Sequence, residues 1–250
     1  MVTPTDTHPR VALITGAAGG LGEAFALQLA ASGHELVLTD REPCHALVER
    51  IRSDGGRAST FACDLGVLDE VERLASRVLG QHHAIDILVN NAAYMPQASL
   101  ADTSAQLWRR IMTVNVDAPF LLARALSPDM IRRRWGRIVN LASSSVWGPP
   151  PGMTAYVSSK MAVIGLTRAL ASELGAHGIT VNAIAPGLTR HPGSAANMPP
   201  IQFEAVRARQ FIPRTETPDD LTGTLAFLVS DAAAFITAQV VNVDGGGFGF

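Results

Sequence analysis

Short apolar runs recur along the chain, each followed by a longer stretch whose apolar positions return every three or four residues. Residues 11–15, 35–39, 58–62, 85–89, 137–141, 180–184 and 240–243 read as strands, and several are apolar almost throughout. That pattern belongs to strands covered on both faces, as in a parallel sheet. Helical periods fill 22–31, 43–53, 68–79, 104–133, 154–176 and 218–229. Alternation of strand and helix through right-handed crossovers predicts one doubly wound α/β domain over residues 1–250, with a mainly parallel seven-stranded sheet. Its ligand site would lie at the carboxyl ends of the strands.

The alternation fails between residues 187 and 213, where no clean period runs and Pro192, Pro199 and Pro200 interrupt. A loop this long in a compact domain usually serves a site, so a substrate lid is expected here.

Composition narrows the function class. Hydrophobic residues make up 47% of 250, enough for a core on both faces of a sheet. A formal net charge of -2 leaves no basic excess for a nucleic-acid partner. The one basic cluster, Arg132-Arg133-Arg134, reads as a solvated helix end. Cys44 and Cys63 lack metal-ligand spacing and read as buried or idle thiols. His82 and His83 read as surface residues, so no metal is expected. Residues 1–10 are polar and no later stretch is apolar enough to span a bilayer. A cytoplasmic protein without a membrane partner is the expectation.

Two constellations carry chemistry. The first strand runs into Thr15-Gly16-Ala17-Ala18-Gly19-Gly20-Leu21-Gly22, and a helix follows. Glycines there permit a tight turn and close approach of a pyrophosphate, which the helix N-terminus can hold through its amides and dipole. The second strand ends at Asp40, whose carboxylate can accept from the ribose hydroxyls of an adenosine. Among the 20 Lys+Arg only Lys160 is a lysine, and Tyr156, one of two tyrosines, precedes it by four residues. At that helical spacing the two side chains share a face. A phenol is a poor base at neutral pH, and a neighbouring ammonium is expected to draw its pKa down from about 10.

With these residues in view, the chain resembles the short-chain dehydrogenase/reductase family over essentially its whole length. Gly16, Gly20, Leu21 and Gly22 match the family's cofactor turn, and residues 156–160 match its catalytic signature. Asp64 and Leu65 resemble its adenine-side pair. Asn90-Asn91-Ala92-Ala93 resembles the motif after the fourth strand, with Ala93 where glycine is usual. Pro186, Gly187 and Thr189 fall in its nicotinamide-side segment, although His191 stands where a threonine is often found. The segments 135–141 and 243–246 match further stretches.

The resemblance implies a Rossmann-type fold, a homotetramer and a nicotinamide cofactor, with NAD favoured over NADP by Asp40. Asn91, Ala92, Tyr156 and Lys160 would also touch that cofactor. It gives Tyr156 the role of general acid/base, Lys160 that of acidifying Tyr156 and binding ribose, and Asn115 that of linking Lys160 to solvent. Ser143 would hold the substrate oxygen, with Ser144 and Ser145 adjacent alternatives. Tyr94, Met95, Trp147, Met153, Ile201 and Phe211 are expected around the substrate, an apolar set suited to a hydrophobic secondary alcohol or ketone. Residues 135–141 are similar to aryl secondary-alcohol dehydrogenases. The alternative within the family is a 3-oxoacyl-thioester reductase, with Arg132, Arg133 and Arg134 meeting an acidic carrier protein. A catalytically silent dinucleotide sensor is the alternative outside catalysis, and retention of Asn115, Ser143, Tyr156 and Lys160 argues against it.

Overall fold

The computed structural model describes residues 9–82 and 84–248; the polar stretch 1–8 and His83 lie outside the described residues. Seven strands form one sheet: β1 (Val11–Thr15), β2 (Glu35–Asp40), β3 (Arg57–Ala62), β4 (Ile87–Asn90), β5 (Gly136–Leu141), β6 (Ile179–Pro186) and β7 (Val240–Val243). Their spatial order is β3-β2-β1-β4-β5-β6-β7, and every pairing is parallel. The strands on either side of β1 are β2 and β4, so successive crossovers leave it in opposite directions and open a crevice at its carboxyl end.

Around the sheet lie α1 (Gly20–Ala31), α2 (His45–Ser53), α3 (Leu68–His82), α4 (Ala105–Met112), α5 (Ala118–Arg133), α6 (Thr154–Leu174), α7 (Pro192–Asn197), α8 (Pro200–Arg207) and α9 (Asp219–Val229). Side chains of a strand alternate between faces, and the core divides accordingly. Ala12, Ile14, Leu36, Leu38, Ile87 and Val89 join Phe25, Val48 and Leu225 from α1, α2 and α9. Leu13, Val37, Leu88, Ile138 and Val181 join Leu74, Leu126 and Leu174 from α3, α5 and α6. Each fully buried Leu, Ile or Val contributes about 1.5–3 kcal/mol, so the two-sided burial dominates the stability of the sheet.

Three expectations need correction. Residues 104–133 are not one helix: between α4 and α5 lies a π turn, Thr113–Asp117, where the Ala118 N–H reaches back to the Thr113 carbonyl. Pro119 explains the break, since it has no N–H to offer the Asn115 carbonyl four residues back. The segment 187–213 is not aperiodic loop but contains α7 and α8. Pro192 and Pro200 each occupy a first helical position, where the missing N–H costs nothing. His82 is not a surface residue: its ring is buried and bonds Ser59 Oγ and Glu35 Oε1, each at 3.0 Å.

The basic run at the end of α5 is only partly solvated. Arg132 pairs with Asp129, Arg133 with Asp86, and Arg134 donates to the Ala176 carbonyl at 3.1 Å. Asp86 also accepts from the Val11 N–H at 2.8 Å, so one carboxylate ties α5 to the amino ends of β1 and β4. Both cysteines are free and buried.

Replacing that carboxylate tests the amino edge alone. Asp86→Ala strands the Val11 N–H and leaves the Arg133 guanidinium only the Ile85 carbonyl, at 3.0 Å, and a loss of about 2–3 kcal/mol is expected. Denaturant midpoints would show it, and an unshifted midpoint would make the cluster passive.

Candidate active site

At the carboxyl end of β1 the chain turns through Gly16 and enters α1. Gly16 has φ +65°, and a Cβ there would lie 2.8 Å from Ala92 Cα. A Cβ at Gly22 would lie 2.1 Å from the Gly16 carbonyl oxygen, so helix and turn approach as closely as backbone permits. Asn91 pins the turn, its Nδ2 donating to the carbonyls of Thr15 at 2.9 Å and Gly16 at 3.0 Å. Thr15 Oγ1 accepts from the N–H groups of Asn91 at 3.1 Å and Ala92 at 3.0 Å. As the first residues of α1, Gly20 and Leu21 have N–H groups with no carbonyl a turn earlier to bond. With the helix dipole, they suit a phosphate.

Asp40 ends β2 beside this turn, its carboxylate accepting from the N–H of Ala18 at 3.1 Å and of Arg41 at 2.7 Å. Asp64 is engaged differently: both its oxygens accept from Arg110, at 2.8 and 2.7 Å. That guanidinium holds the Asp64 carboxyl below the usual carboxylate range. The Leu65 side chain is buried in the core. Of this pair, then, a cofactor would meet mainly backbone. Arg110 carried no sequence signal.

At the reaction end, α6 presents Tyr156 and Lys160 one turn apart, both buried. Lys160 Nζ donates to the Leu141 carbonyl at the end of β5 at 2.6 Å and lies 5.6 Å from the Tyr156 ring centroid. Of the three consecutive serines, Ser143 is the one whose hydroxyl acts on the Tyr156 pKa, lowering it in part. Its Oγ also accepts from the Ser145 N–H at 3.2 Å. Asn115, in the π turn, spends its side chain on Tyr94 and Ser159. Its Oδ1 accepts from the Tyr94 N–H at 2.8 Å, and its Nδ2 donates to Ser159 Oγ at 2.9 Å. It therefore fixes α6 next to Lys160 without touching Lys160 itself.

The electrostatics run against the expectation of an acidified phenol. Burial pushes Tyr156 up to about 12, offset only in part by the Ser143 hydrogen bond. Burial pulls Lys160 down to about 8. The chain's own groups thus keep the phenol protonated at neutral pH.

Beyond β6, Gly187 donates to the Val243 carbonyl at 3.0 Å and to Glu216 Oε2 at 3.1 Å. Thr189 Oγ1 donates to Glu216 Oε1 at 2.6 Å. Glu216 sits among polar neighbours in the sequence, so no local pattern marks it. His191 caps α7, its Nδ1 accepting from the Ser194 N–H at 3.4 Å. The same imidazole lies over the cofactor turn, 2.5 Å from where a Cβ of Gly20 would stand. On the rim, Tyr94, Met95, Ile201 and Phe211 are exposed, whereas Met153 is buried.

Comparison with known proteins agrees with this geometry. The family described as Enoyl-(Acyl carrier protein) reductase matches residues 16–247. A 3-oxoacyl-[acyl-carrier-protein] reductase of Synechocystis is 37% identical, over 95% of this chain and 96% of its own. The (2S)-[(R)-hydroxy(phenyl)methyl]succinyl-CoA dehydrogenase subunit BbsD of Thauera aromatica is 38% identical, again over 95% and 96%. A putative NAD(P) dependent gluconate 5-dehydrogenase from Beutenbergia cavernae, solved with bound NADP, superposes with a TM-score of 0.91 at 36% identity, covering 95% and 96%. Fold, cofactor turn and Tyr-Lys helix thus belong to a nicotinamide-dinucleotide oxidoreductase, and the chain is a member of the short-chain dehydrogenase/reductase family.

Proposed function

We propose that this enzyme reduces a ketone on an acyl group carried as a thioester, with Tyr156 giving the proton and NAD(H) preferred over NADP(H). The observation that carries the reading is the buried Tyr156, near Ser143 and kept protonated beside Lys160. A phenol held in its acid form is prepared to donate, so the chain's own residues favour the reduction direction.

The cofactor end fits a dinucleotide on steric grounds, because no Cβ can be accommodated at Gly16 or Gly22. The N–H groups of Gly20 and Leu21 would hold its phosphates, Asp40 its adenosine ribose and Lys160 its nicotinamide ribose. When bound, the nicotinamide supplies or accepts the hydride. Ser143 would orient the substrate oxygen against Tyr156, so that proton and hydride converge on one carbonyl group. Resupply of the proton would pass through Lys160 and the Asn115 backbone carbonyl, which Pro119 leaves without its usual helical donor.

The substrate class leans on the relatives, one acting on 3-oxoacyl-[acyl-carrier-protein] and one on a CoA compound that bears a hydroxy(phenyl)methyl group. The second of these also favours the other reading, a hydrophobic aryl alcohol or ketone, as does the apolar rim of Tyr94, Met95 and Phe211. Arg132, Arg133 and Arg134 are not the carrier's docking surface in this account. Their contacts with Asp129, Asp86 and Ala176 place them at the amino edge of the sheet, opposite the site. Residues 187–213, with α7 and α8, would form the lid within a single domain. The homotetramer is proposed from Trp108, Phe120 and Met161, apolar side chains left exposed on α4, α5 and α6. Assaying short 3-oxoacyl-CoA thioesters against aryl ketones separates the two substrate readings: faster turnover of the ketones would overturn the first.

Tyr156→Phe is expected to abolish turnover while NADH affinity, measured by fluorescence titration, stays within a few-fold. Substantial turnover in the folded variant would assign the proton to another group.

Cofactor choice follows from Asp40, which accepts hydrogen bonds from ribose hydroxyls but repels a 2′-phosphate. A preference for NADH of at least roughly tenfold in kcat/KM, about 1.4 kcal/mol, is expected. Asp40→Ala should narrow the gap; equal efficiency with NADPH in the parent would reject the assignment.

A further inference from the structure

We propose that Glu216 is a positioning residue of the cofactor site: it holds the Gly187–Thr189 turn, and with it the foot of the lid, in a proton-dependent way. The inference rests on the cofactor and lid readings above and adds a residue with no part in the proton transfer.

Glu216 is buried. It meets the turn three times: through Gly187 N–H at 3.1 Å, through Thr189 Oγ1 at 2.6 Å, and through its own carbonyl, which accepts from the Arg190 N–H at 2.7 Å. A parallel bridge also joins Thr189 to Glu216. The space is tight, since a Cβ at Gly187 would lie 2.5 Å from Glu216 Oε2. The segment from β6 into α7 is thereby fastened to the approach to α9 by one side chain. His191, one residue past Arg190, then carries the lid onto Gly20 of the cofactor turn.

No cation is paired with this carboxyl among the described residues. Arg214, two residues earlier, is committed to Asp220, at 2.6 Å to its Oδ2. On the lid side the Arg190 guanidinium lies over the Phe203 ring at 5.2 Å. Besides Arg214, whose guanidinium also faces Glu216, the charged groups near it are acidic. Asp220 is held down at about 2 by Arg214 and stays ionised. Asp244 accepts from the N–H groups of Gly246 and Phe248, each at 3.0 Å. Desolvation, opposed in part by the hydrogen bonds from Thr189 and Gly187 and aided by these carboxylates, pushes Glu216 up to about 7.

The direction of the effect follows from linkage. A carboxyl whose pKa is raised in the closed state stabilises that state while protonated, and the stabilisation is lost as pH rises through the raised value. Any opening that rehydrates Glu216 therefore becomes easier between about pH 6 and about pH 8, by up to about tenfold. Below neutrality the protonated carboxyl holds the turn. Above it, the buried charge favours release of the lid's foot.

Glu216→Gln mimics the protonated form and removes the titration. Hydrogen exchange at the Thr189 and Arg190 amides is measured on the cofactor-free protein, taking the parent-to-variant ratio at each pH so that intrinsic exchange cancels. That ratio is expected to rise about tenfold from about pH 6 to about pH 8. The dissociation constant for NADH, titrated by fluorescence, should weaken several-fold in the parent relative to the variant over the same range. Lys160 is common to both proteins and drops out of the comparison. A ratio that does not change with pH would overturn the proposal, whatever the affinity does. Failure of the parent to bind NADH would instead reject the cofactor reading and leave the exchange result standing.

Discussion

The architecture of the site depends on how the chain accommodates one buried ammonium. Lys160 lies in the core with a hydrogen bond to the Leu141 carbonyl and, among the described residues, no carboxylate paired with it. An isolated buried cation is costly, and burial accordingly lowers its pKa to about 8. The carbonyl that receives it terminates β5, which fixes the depth at which α6 crosses the sheet. From there Tyr156 follows one turn earlier on the same face, and Ser143, just past the end of β5, is within reach of its hydroxyl. Ser159 next to Lys160 receives Asn115, so the π turn is bound into the same arrangement.

Burial acts on the pair in opposite senses, raising the phenol and lowering the amine. On the chain's own groups Tyr156 stays a protonated phenol beside a readily neutralised amine. Ionisation of Tyr156 would require further positive charge, which an oxidised nicotinamide ring carries. In this account direction is set by what is bound: the resting chain is poised to give a proton, and oxidised dinucleotide would shift it toward taking one.

Most of the architecture was legible in the sequence because its signals are local. Period-two and period-four patterns reveal strands and helices wherever one face is buried, and the glycine turn and the Tyr156–Lys160 spacing are contiguous. What the sequence hid depends on context. Pro192 and Pro200 read as interruptions, yet proline at a first helical position starts a helix. Pro119 lies inside the apolar period of 104–133, which continues on both sides of the π turn and so conceals it. Asp64 matches a family position, and only the fold brings Arg110 onto both its oxygens. Glu216 is ordinary until folding buries it against Gly187 and Thr189. Charge alone argues for a lowered phenol pKa, and only the fold reveals the burial that raises it.

The central claim is that burial, not the neighbouring ammonium, sets the state of Tyr156 before any dinucleotide binds. Ultraviolet absorbance of tyrosinate tests it directly, because Tyr94 and Tyr156 are the only tyrosines and Tyr94→Phe leaves one reporter. The account predicts no half-formed Tyr156 phenolate by about pH 10, where free tyrosine is half ionised, and its appearance at lower pH once oxidised dinucleotide is added. A phenolate half formed below about pH 10 in the protein alone would contradict it.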